Sequence, residues 1–157
     1  MSLVLQSPSF RSNGAIPSQH TCEGRNISPP LQWRGAPPGT ASYVLIVDDP
    51  DAPNPEAPER TWVHWVLYDI PAEVAEMKEG QLPPGAKCGK NDWMRAEYGG
   101  PCPPQGRHRY FHKLYALDNF IANLLTPTKS EVLRAIEGHV LDQSTLIGTY
   151  QKSGPTR

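Results

Sequence analysis

The sequence predicts a mainly β fold, a sandwich of sheets with a few short helices at its periphery. Three long segments have strand character, only two short segments carry helix signals, and turn-forming residues are frequent. Proline (18) and glycine (13) together make up 31 of the 157 residues, whereas these two types average about 12% of a protein. Because the helical segments do not follow every strand, a parallel β-α-β design is disfavoured.

Three segments are predicted to be long strands. Ala41–Asp48 is apolar on both faces at its centre, which is typical of a fully buried strand. In Trp62–Ile70 and His108–Leu117, side chains that share a face recur every second residue. Shorter strands are expected at Leu3–Leu5, Leu31–Trp33 and Thr145–Tyr150.

Two segments are predicted to be short helices. Ala72–Glu79 follows a proline and stops at Gly80, the pattern of a single short helix. Thr128–Glu137 begins with a capping box, since Glu131 follows Thr128 by three residues, and a glycine ends it.

Length and charge limit the class of protein. A chain of 157 residues is expected to form one domain over residues 1–157, with Met1–Leu3 a candidate remnant of cloning. Fifteen basic and sixteen acidic residues give a net charge of -1, which disfavours binding of nucleic acid or a membrane surface through bulk charge. No apolar stretch approaches the roughly 18 residues of a membrane span. The start of the chain lacks the pattern of a signal peptide, so a cytoplasmic location is expected.

The three cysteines are Cys22, Cys88 and Cys102. An odd number without a C-x-x-C motif makes a reducing cytosol the default expectation. A bridge between Cys22 and Cys102 stays open as an alternative.

Two connections are too long to be ordinary turns. Residues 49–61 contain four prolines, and residues 82–107 contain five prolines and five glycines. Long loops inside a compact domain are usually functional or mobile. Proline restricts the backbone and argues against mobility, so both loops are predicted to be rigid walls.

Four polar residues near strand ends are candidates for a binding site. Asp49 follows a buried strand and by itself is typical of a strand-terminating turn. A lone His64 in mid-strand is more often a satisfied core histidine. His108 and Tyr110 share one face of a strand. The Gly99-Gly100 pair before them offers backbone amides that a ligand can approach closely.

These groups suit a small anion if their strand ends converge. A carboxylate beside an imidazole fixes its tautomer and raises its pKa, so both histidines are expected to donate hydrogen bonds to the ligand. Tyr110 and the Gly100 amide would add donors for a phosphate. Pro53 and Trp62 would form the apolar wall.

Two enzymatic alternatives have little support in the sequence. Asp49, His64 and His108 could form a facial metal triad, but they are far apart and no local metal-binding motif is present. Ser42 and Ser144 lack the G-x-S-x-G context of a hydrolase nucleophile. No catalytic residue, metal or cofactor is therefore expected.

Five segments, in this order, resemble the phosphatidylethanolamine-binding protein family, particularly its bacterial Raf kinase inhibitor-like branch. The segments are TCEGRNISPPLQW (21–33), DPDAP (49–53), WVHWVLYDIP (62–71), YGGPCPPQGRHRYFHKLYALD (98–118) and HVLDQSTLIGTYQ (139–151). The resemblance covers nearly the whole chain.

The resemblance implies two antiparallel sheets in a Greek-key sandwich and a cavity for phosphate and other anions. It also implies a cis peptide bond at Ala52-Pro53 and favours a homodimer. The residues carried over to the cavity are Asp49, Pro53, Trp62, His64, Gly100, Pro101, His108 and Tyr110. The inserted Cys102 and the short tail depart from the eukaryotic branch, so kinase inhibition is not transferred.

The leading hypothesis is a non-enzymatic binding protein for a small anionic or phosphorylated ligand. The alternative is an interaction module that inhibits a protease or another enzyme, because rigid loops offer a preorganised surface. The identity of such a protein partner is unknown. A metal-dependent hydrolase is the third possibility, and neither nucleic acid nor membrane insertion is expected.

Overall fold

The computed structural model describes residues 2–121 and 124–153, which contain nine strands, one α-helix and a short 3-10 helix at Ser18–His20. The strands are β1 (Val4–Gln6), β2 (Gly14–Ala15), β3 (Leu31–Arg34), β4 (Ser42–Ala52), β5 (Arg60–Pro71), β6 (Glu76–Met77), β7 (Lys87–Cys88), β8 (His108–Leu117) and β9 (Val140–Tyr150). The helix α1 spans Lys129–Ala135.

The strands form two sheets, which confirms the predicted mainly β architecture. The larger sheet has the order β2-β9-β8-β4-β5-β7, and the smaller has the order β1-β3-β6. The described strand pairs are antiparallel except β2 with β9, which run parallel. In the larger sheet β4 lies between β5 and β8, an order compatible with a Greek-key arrangement.

The hydrophobic core has two parts, one on each face of the larger sheet. Trp33, Trp65 and Leu114 belong to the larger part. On the opposite face, Val132 of α1 packs against a second cluster that includes Ile46 and Val66 of the sheet. Because both faces of β4 are covered, its centre is apolar throughout, as the sequence indicated.

The three long strands and the second helix are confirmed. β8 has the predicted bounds, whereas β4 continues to Ala52 and β5 begins at Arg60. In these extensions Ala52 pairs with Arg60 beyond a bulge, so the loop between the two strands is shorter than the predicted residues 49–61. The capping box of α1 is present, with Thr128 accepting from the amide of Glu131 and the Glu131 carboxylate accepting from that of Thr128.

The helix predicted at Ala72–Glu79 is wrong. A turn follows Pro71, and Glu76–Met77 forms β6, which pairs with β3. Met77 is 3% exposed. The tertiary contact of Met77 with the core overrides the local helix signal in this short segment.

Three further features bear on the sequence expectations. Cys22 and Cys102 form a disulfide with Cα atoms 5.4 Å apart, and Cys88 is free. Leu3, in the segment considered a cloning remnant, is buried, whereas Met1 lies outside the described residues. Within residues 2–121 and 124–153, no helix has the length and apolar character needed to cross a membrane.

Candidate functional site

A cavity of about 170 Å³ opens where β4, β5 and β8 end at one edge of the larger sheet. Larger grooves of about 670 and 700 Å³ lie beside the smaller sheet, but no histidine lines them. Six of the eight residues predicted for the site line the small cavity. These are Asp49, Pro53, Trp62, His64, His108 and Tyr110.

Strand register explains why these residues meet although they are far apart in sequence. Asp49 on β4 pairs directly with Trp62 on β5, and His64 lies two residues further along the same face of β5. His108 and Tyr110 begin β8, the other neighbour of β4. The expected cis peptide bond at Ala52-Pro53 is confirmed, and Pro53 forms part of the wall.

His108 joins the strand ends to the loops and does not present a free donor to a ligand. Its Nδ1 lies 2.6 Å from Oδ2 of Asp49, and its Nε2 lies 2.8 Å from the carbonyl oxygen of Gln105. Both ring nitrogens therefore face acceptors, so this buried pair must share two protons and is neutral overall. Burial raises the pKa of Asp49, although the hydrogen bond from His108 opposes this shift. The expectation that His108 donates to the anion is wrong.

His64 is also predicted to donate to the ligand, and its surroundings give it a different role. Its Nδ1 donates to the carbonyl oxygen of Gly99 at 2.7 Å, and the side chain is 3% exposed. Desolvation by burial lowers the pKa of His64 to about 4, so the ring is neutral at pH 7. A neutral ring that donates through Nδ1 offers only a lone pair at Nε2. His64 is therefore an acceptor, not the predicted donor.

Two other cavity residues carry donors that have no partner in residues 2–121 and 124–153. These donors are the hydroxyl of Tyr110 and the indole Nε1–H of Trp62, and both atoms are buried. Burial, and secondarily the charge of Asp49, raises the pKa of Tyr110, so its hydroxyl keeps its proton. The site thus contains two neutral donors that the described part of the chain leaves unsatisfied.

Trp93 and Arg60 line the cavity, and the sequence analysis missed both. Trp93 lies in the connection between β7 and β8 and packs edge-to-face on Trp62 and His64, with ring centroids 5.5 and 5.1 Å away. A Cβ on Gly99 would stand 2.3 Å from the Trp93 ring, so glycine permits this contact. The only available signal was a tryptophan inside a proline- and glycine-rich loop.

Gly100 and Pro101 lie outside the cavity. The Gly100 amide donates to Oδ1 of Asn26 at 2.9 Å, and Gly100 lines a neighbouring cavity of about 210 Å³. A Cβ on Gly100 would come within 2.4 Å of the His20 carbonyl oxygen. Glycine at this position therefore serves close packing between two loops, not the predicted approach of a ligand to its amide.

Four links fasten the loop that contains Cys22 to the loop that forms the cavity wall. The Cys22–Cys102 disulfide is the covalent one, and the Cys22 amide donates to the Pro101 carbonyl oxygen at 3.1 Å. The hydroxyl of Tyr98 donates to the His20 carbonyl oxygen at 2.6 Å, and the Gly100 amide adds the fourth link. Cys102 borders both cavities, so the disulfide fixes the wall between them.

Comparison with known proteins identifies the family. The family model described as phosphatidylethanolamine-binding protein matches residues 6–151. The chain belongs to the phosphatidylethanolamine-binding protein family. A relative from Methanothermobacter thermautotrophicus, described as a UPF0098 protein, is 46% identical over 94% of this chain and 98% of its own length.

Solved structures of other proteins have a similar fold. A putative phosphatidylethanolamine-binding protein homologue from Chlamydia trachomatis superposes with a TM-score of 0.91 at 36% identity, covering 97% of this chain and 99% of the other. A carboxypeptidase Y inhibitor, solved with its cognate proteinase, has a TM-score of 0.63 at 16% identity over 97% of this chain and 84% of its own. At that identity the likeness shows the fold alone.

The chemistry open to this family member follows from the donor set. Within the described chain, no three histidine, cysteine, aspartate or glutamate residues are grouped to hold a metal ion. Asp49 and His108 satisfy each other, while His64 is fixed by a backbone carbonyl. Among the described residues, the cavity lining therefore carries two donors and one acceptor without partners, together with aromatic walls.

Proposed function

We propose that this member of the phosphatidylethanolamine-binding protein family is a non-enzymatic binding protein whose cavity takes a small phosphate-like anion, free or as part of a phosphorylated ligand. The observation that carries the proposal is a pair of buried donors without partners among residues 2–121 and 124–153, the Tyr110 hydroxyl and the Trp62 indole N–H. Leaving a buried donor unsatisfied costs about 1–3 kcal/mol. An oxyanion that accepts from both groups removes this cost.

The charges around the cavity are compatible with the binding of an anion. The neutral Asp49–His108 pair exerts little repulsion, and the Asp51 carboxylate is held by the guanidinium of Arg109 at 2.8 Å. The hydrogen bond from Arg109 keeps the pKa of Asp51 below its ordinary value, so this charge stays paired. Arg60 lines the cavity and is more than half exposed, and its guanidinium lies 3.8 Å from the Glu59 carboxylate, so the positive charge it adds near the entrance is partly offset.

The size of the cavity supports a head group and not a whole lipid. A volume of about 170 Å³ suits an oxyanion with a small substituent. Small-molecule sites usually measure roughly 300–1,000 Å³, so the acyl chains of a phospholipid would have to lie outside it.

Calorimetric titration with inorganic phosphate tests the proposal. Tyr110→Phe removes one donor and is expected to weaken binding about tenfold, the effect of one hydrogen bond to a charged group. Tyr115→Phe is the matched control, because Tyr115 lies on the same strand but on the opposite face. Equal dissociation constants for wild type and Tyr110→Phe would overturn the proposal.

Inhibition of a protease is the second candidate function. It is favoured by the fold shared with the carboxypeptidase Y inhibitor and by the proline-rich segment 54–58, most of which is exposed. We expect a variant with residues 54–58 replaced by glycine and serine to lose inhibition of a responsive carboxypeptidase. If inhibition survives this replacement, the segment is not the inhibitory surface.

The same proposal includes three further expectations, which concern catalysis, assembly and location. We expect the protein to release no phosphate from phosphomonoesters. We expect sedimentation to show a homodimer. A cytoplasmic location is proposed, although the Cys22–Cys102 disulfide is more typical of oxidising compartments. Recovery of the chain outside the cytoplasmic fraction of its cells would contradict that location.

A further inference from the structure

We propose that the cavity selects oxyanions that carry a proton, such as hydrogenphosphate or the monoanion of a phosphomonoester, over oxyanions without one, such as sulfate. The inference rests on the proposed function and narrows its class of ligand. It follows from His64, which places an acceptor beside the two unsatisfied donors.

The orientation of His64 is fixed by its surroundings. Nδ1 is held by the Gly99 carbonyl oxygen at 2.7 Å. The rings of Trp93 and Tyr110 pack against the imidazole edge-to-face, each with its centroid 5.1 Å away. Within the described residues Nε2 makes no hydrogen bond, and His64 lines the cavity. The acceptor therefore stays in place when the cavity is empty.

This donor set demands a complementary ligand. Tyr110 and Trp62 need acceptor oxygens, whereas Nε2 of His64 needs a hydrogen. The P–OH group of a phosphate monoanion supplies that hydrogen, and its other oxygens accept from the two donors. Sulfate has only acceptors, so one of its oxygens would meet the lone pair of His64. A buried site built to pair with a hydroxyl rejects analogues that lack it.

Desolvation has a larger effect on the pKa of His64 than the charge of Asp48, which favours protonation. Asp48 on β4 is bound by Lys129 at 2.6 Å and by Lys113 at 3.3 Å, and Asp49 is bound by His108. The titratable and charged groups on the strands around His64 are Asp48, Asp49, His108, Tyr110, His112 and Arg60. None of the carboxylates among them is unpaired. An anion without a proton could pair with Nε2 only if His64 were protonated. Because the pKa of His64 is about 4, this requirement would weaken binding of such an anion at pH 7 about a thousandfold.

The test compares methyl phosphate with methyl sulfate by calorimetry at pH 5.5. At this pH both ligands are mostly or wholly monoanions of similar shape, and they differ in one proton. Methyl phosphate is expected to bind at least about tenfold more tightly. Its affinity should be level below about pH 6 and fall about tenfold per pH unit above it, as the monoanion is lost. Methyl sulfate should bind more tightly only as the pH falls toward 4.

The outcomes separate this inference from the proposed function. Equal affinity for the two methyl esters would overturn the proton selectivity and leave anion binding intact. No binding of either ester or of inorganic phosphate would overturn both. Each result is obtained on the wild-type protein and does not depend on whether a variant folds.

A substitution locates the selectivity. In His64→Gln the side-chain amide can turn a donor toward the ligand, so the preference for methyl phosphate should fall to within about twofold. His139→Gln is the control, because His139 is exposed and pairs with Asp118 away from the cavity. A His64→Gln protein that is folded and keeps the wild-type preference would overturn the assignment to His64.

Discussion

Two histidines that look alike in the sequence have opposite roles in the cavity. His108 meets a carboxylate and two backbone carbonyls, and its ring is used entirely within the protein. His64 meets one backbone carbonyl, and its second nitrogen has no hydrogen-bond partner among the described residues. Which atoms surround each ring decides its protonation state, because desolvation and hydrogen bonds act on each ionised form separately.

Removal of His108 should therefore lower the stability of the protein more than removal of one partner from an exposed pair. His108→Ala leaves the carboxyl group of Asp49 buried without its main partner, and we expect a loss of about 3–5 kcal/mol in the free energy of unfolding. Urea denaturation at pH 7 measures the change.

The exposed pair of His139 with Asp118 is the reference for this measurement. His139→Ala should cost less than about 1 kcal/mol, because solvent-exposed ion pairs contribute little. Similar losses for the two variants would show that His108 is not a buried clamp.

Among the elements of the fold, the loops form the cavity as much as the strands do. Trp93 and Cys102 reach the cavity from the connection between β7 and β8. A disulfide and backbone contacts tie this connection to the loop at Cys22. Proline content predicts rigid walls, and the structure adds a covalent link between two loops that are 80 residues apart.

The disulfide leads to a prediction on thiols and stability. The unfolded but unreduced chain should show one reactive thiol, that of Cys88, and the reduced chain three. Replacing both Cys22 and Cys102 by serine is expected to lower the free energy of unfolding by about 2–5 kcal/mol, mainly because the unfolded chain loses its cross-link.

Thiol titration in denaturant and equilibrium unfolding measure these two quantities. Cys88→Ser serves as the control, since it removes the free thiol and keeps the cross-link. Three reactive thiols in freshly prepared, unreduced protein would contradict the pairing.

For the molecule as a whole, buried neutral histidines make stability depend on pH. Burial lowers the pKa of both His64 and His112 to about 4. Between pH 4 and the ordinary value of 6.5, the unfolded chain binds protons that the folded chain does not. Stability from this source is complete above pH 6.5 and is lost as the pH falls toward 4.

We expect the free energy of unfolding to decrease from pH 7 to pH 4.5, by up to about 1.4 kcal/mol per pH unit for each histidine. Urea denaturation at several pH values measures the slope. His64→Gln should make the slope shallower because one titrating group is removed. A profile that is flat for wild type over this range would show that these histidines are not buried in the neutral form.

Local sequence patterns and the order of the motifs predicted the three long strands, three of the shorter ones, one helix and the family, but not β2, β6 or β7. Alternation in the segments at Trp62 and His108 and the capping box at Thr128 are local patterns, and they are read without knowing the fold. The order of the short motifs was enough to indicate the family. Six of the eight residues that the resemblance indicated line one cavity.

The role open to each group in the cavity depends on contacts that the sequence pattern does not reveal. Pairing across the sheet brings Asp49 to His108 and leaves His64 to a backbone carbonyl, which reverses the expected role of both histidines. It also turns a segment with helix signals into β6 and brings Trp93 to the cavity wall. Burial and proton sharing depend on contacts between residues distant along the chain, and these contacts exist only once the sheets have formed.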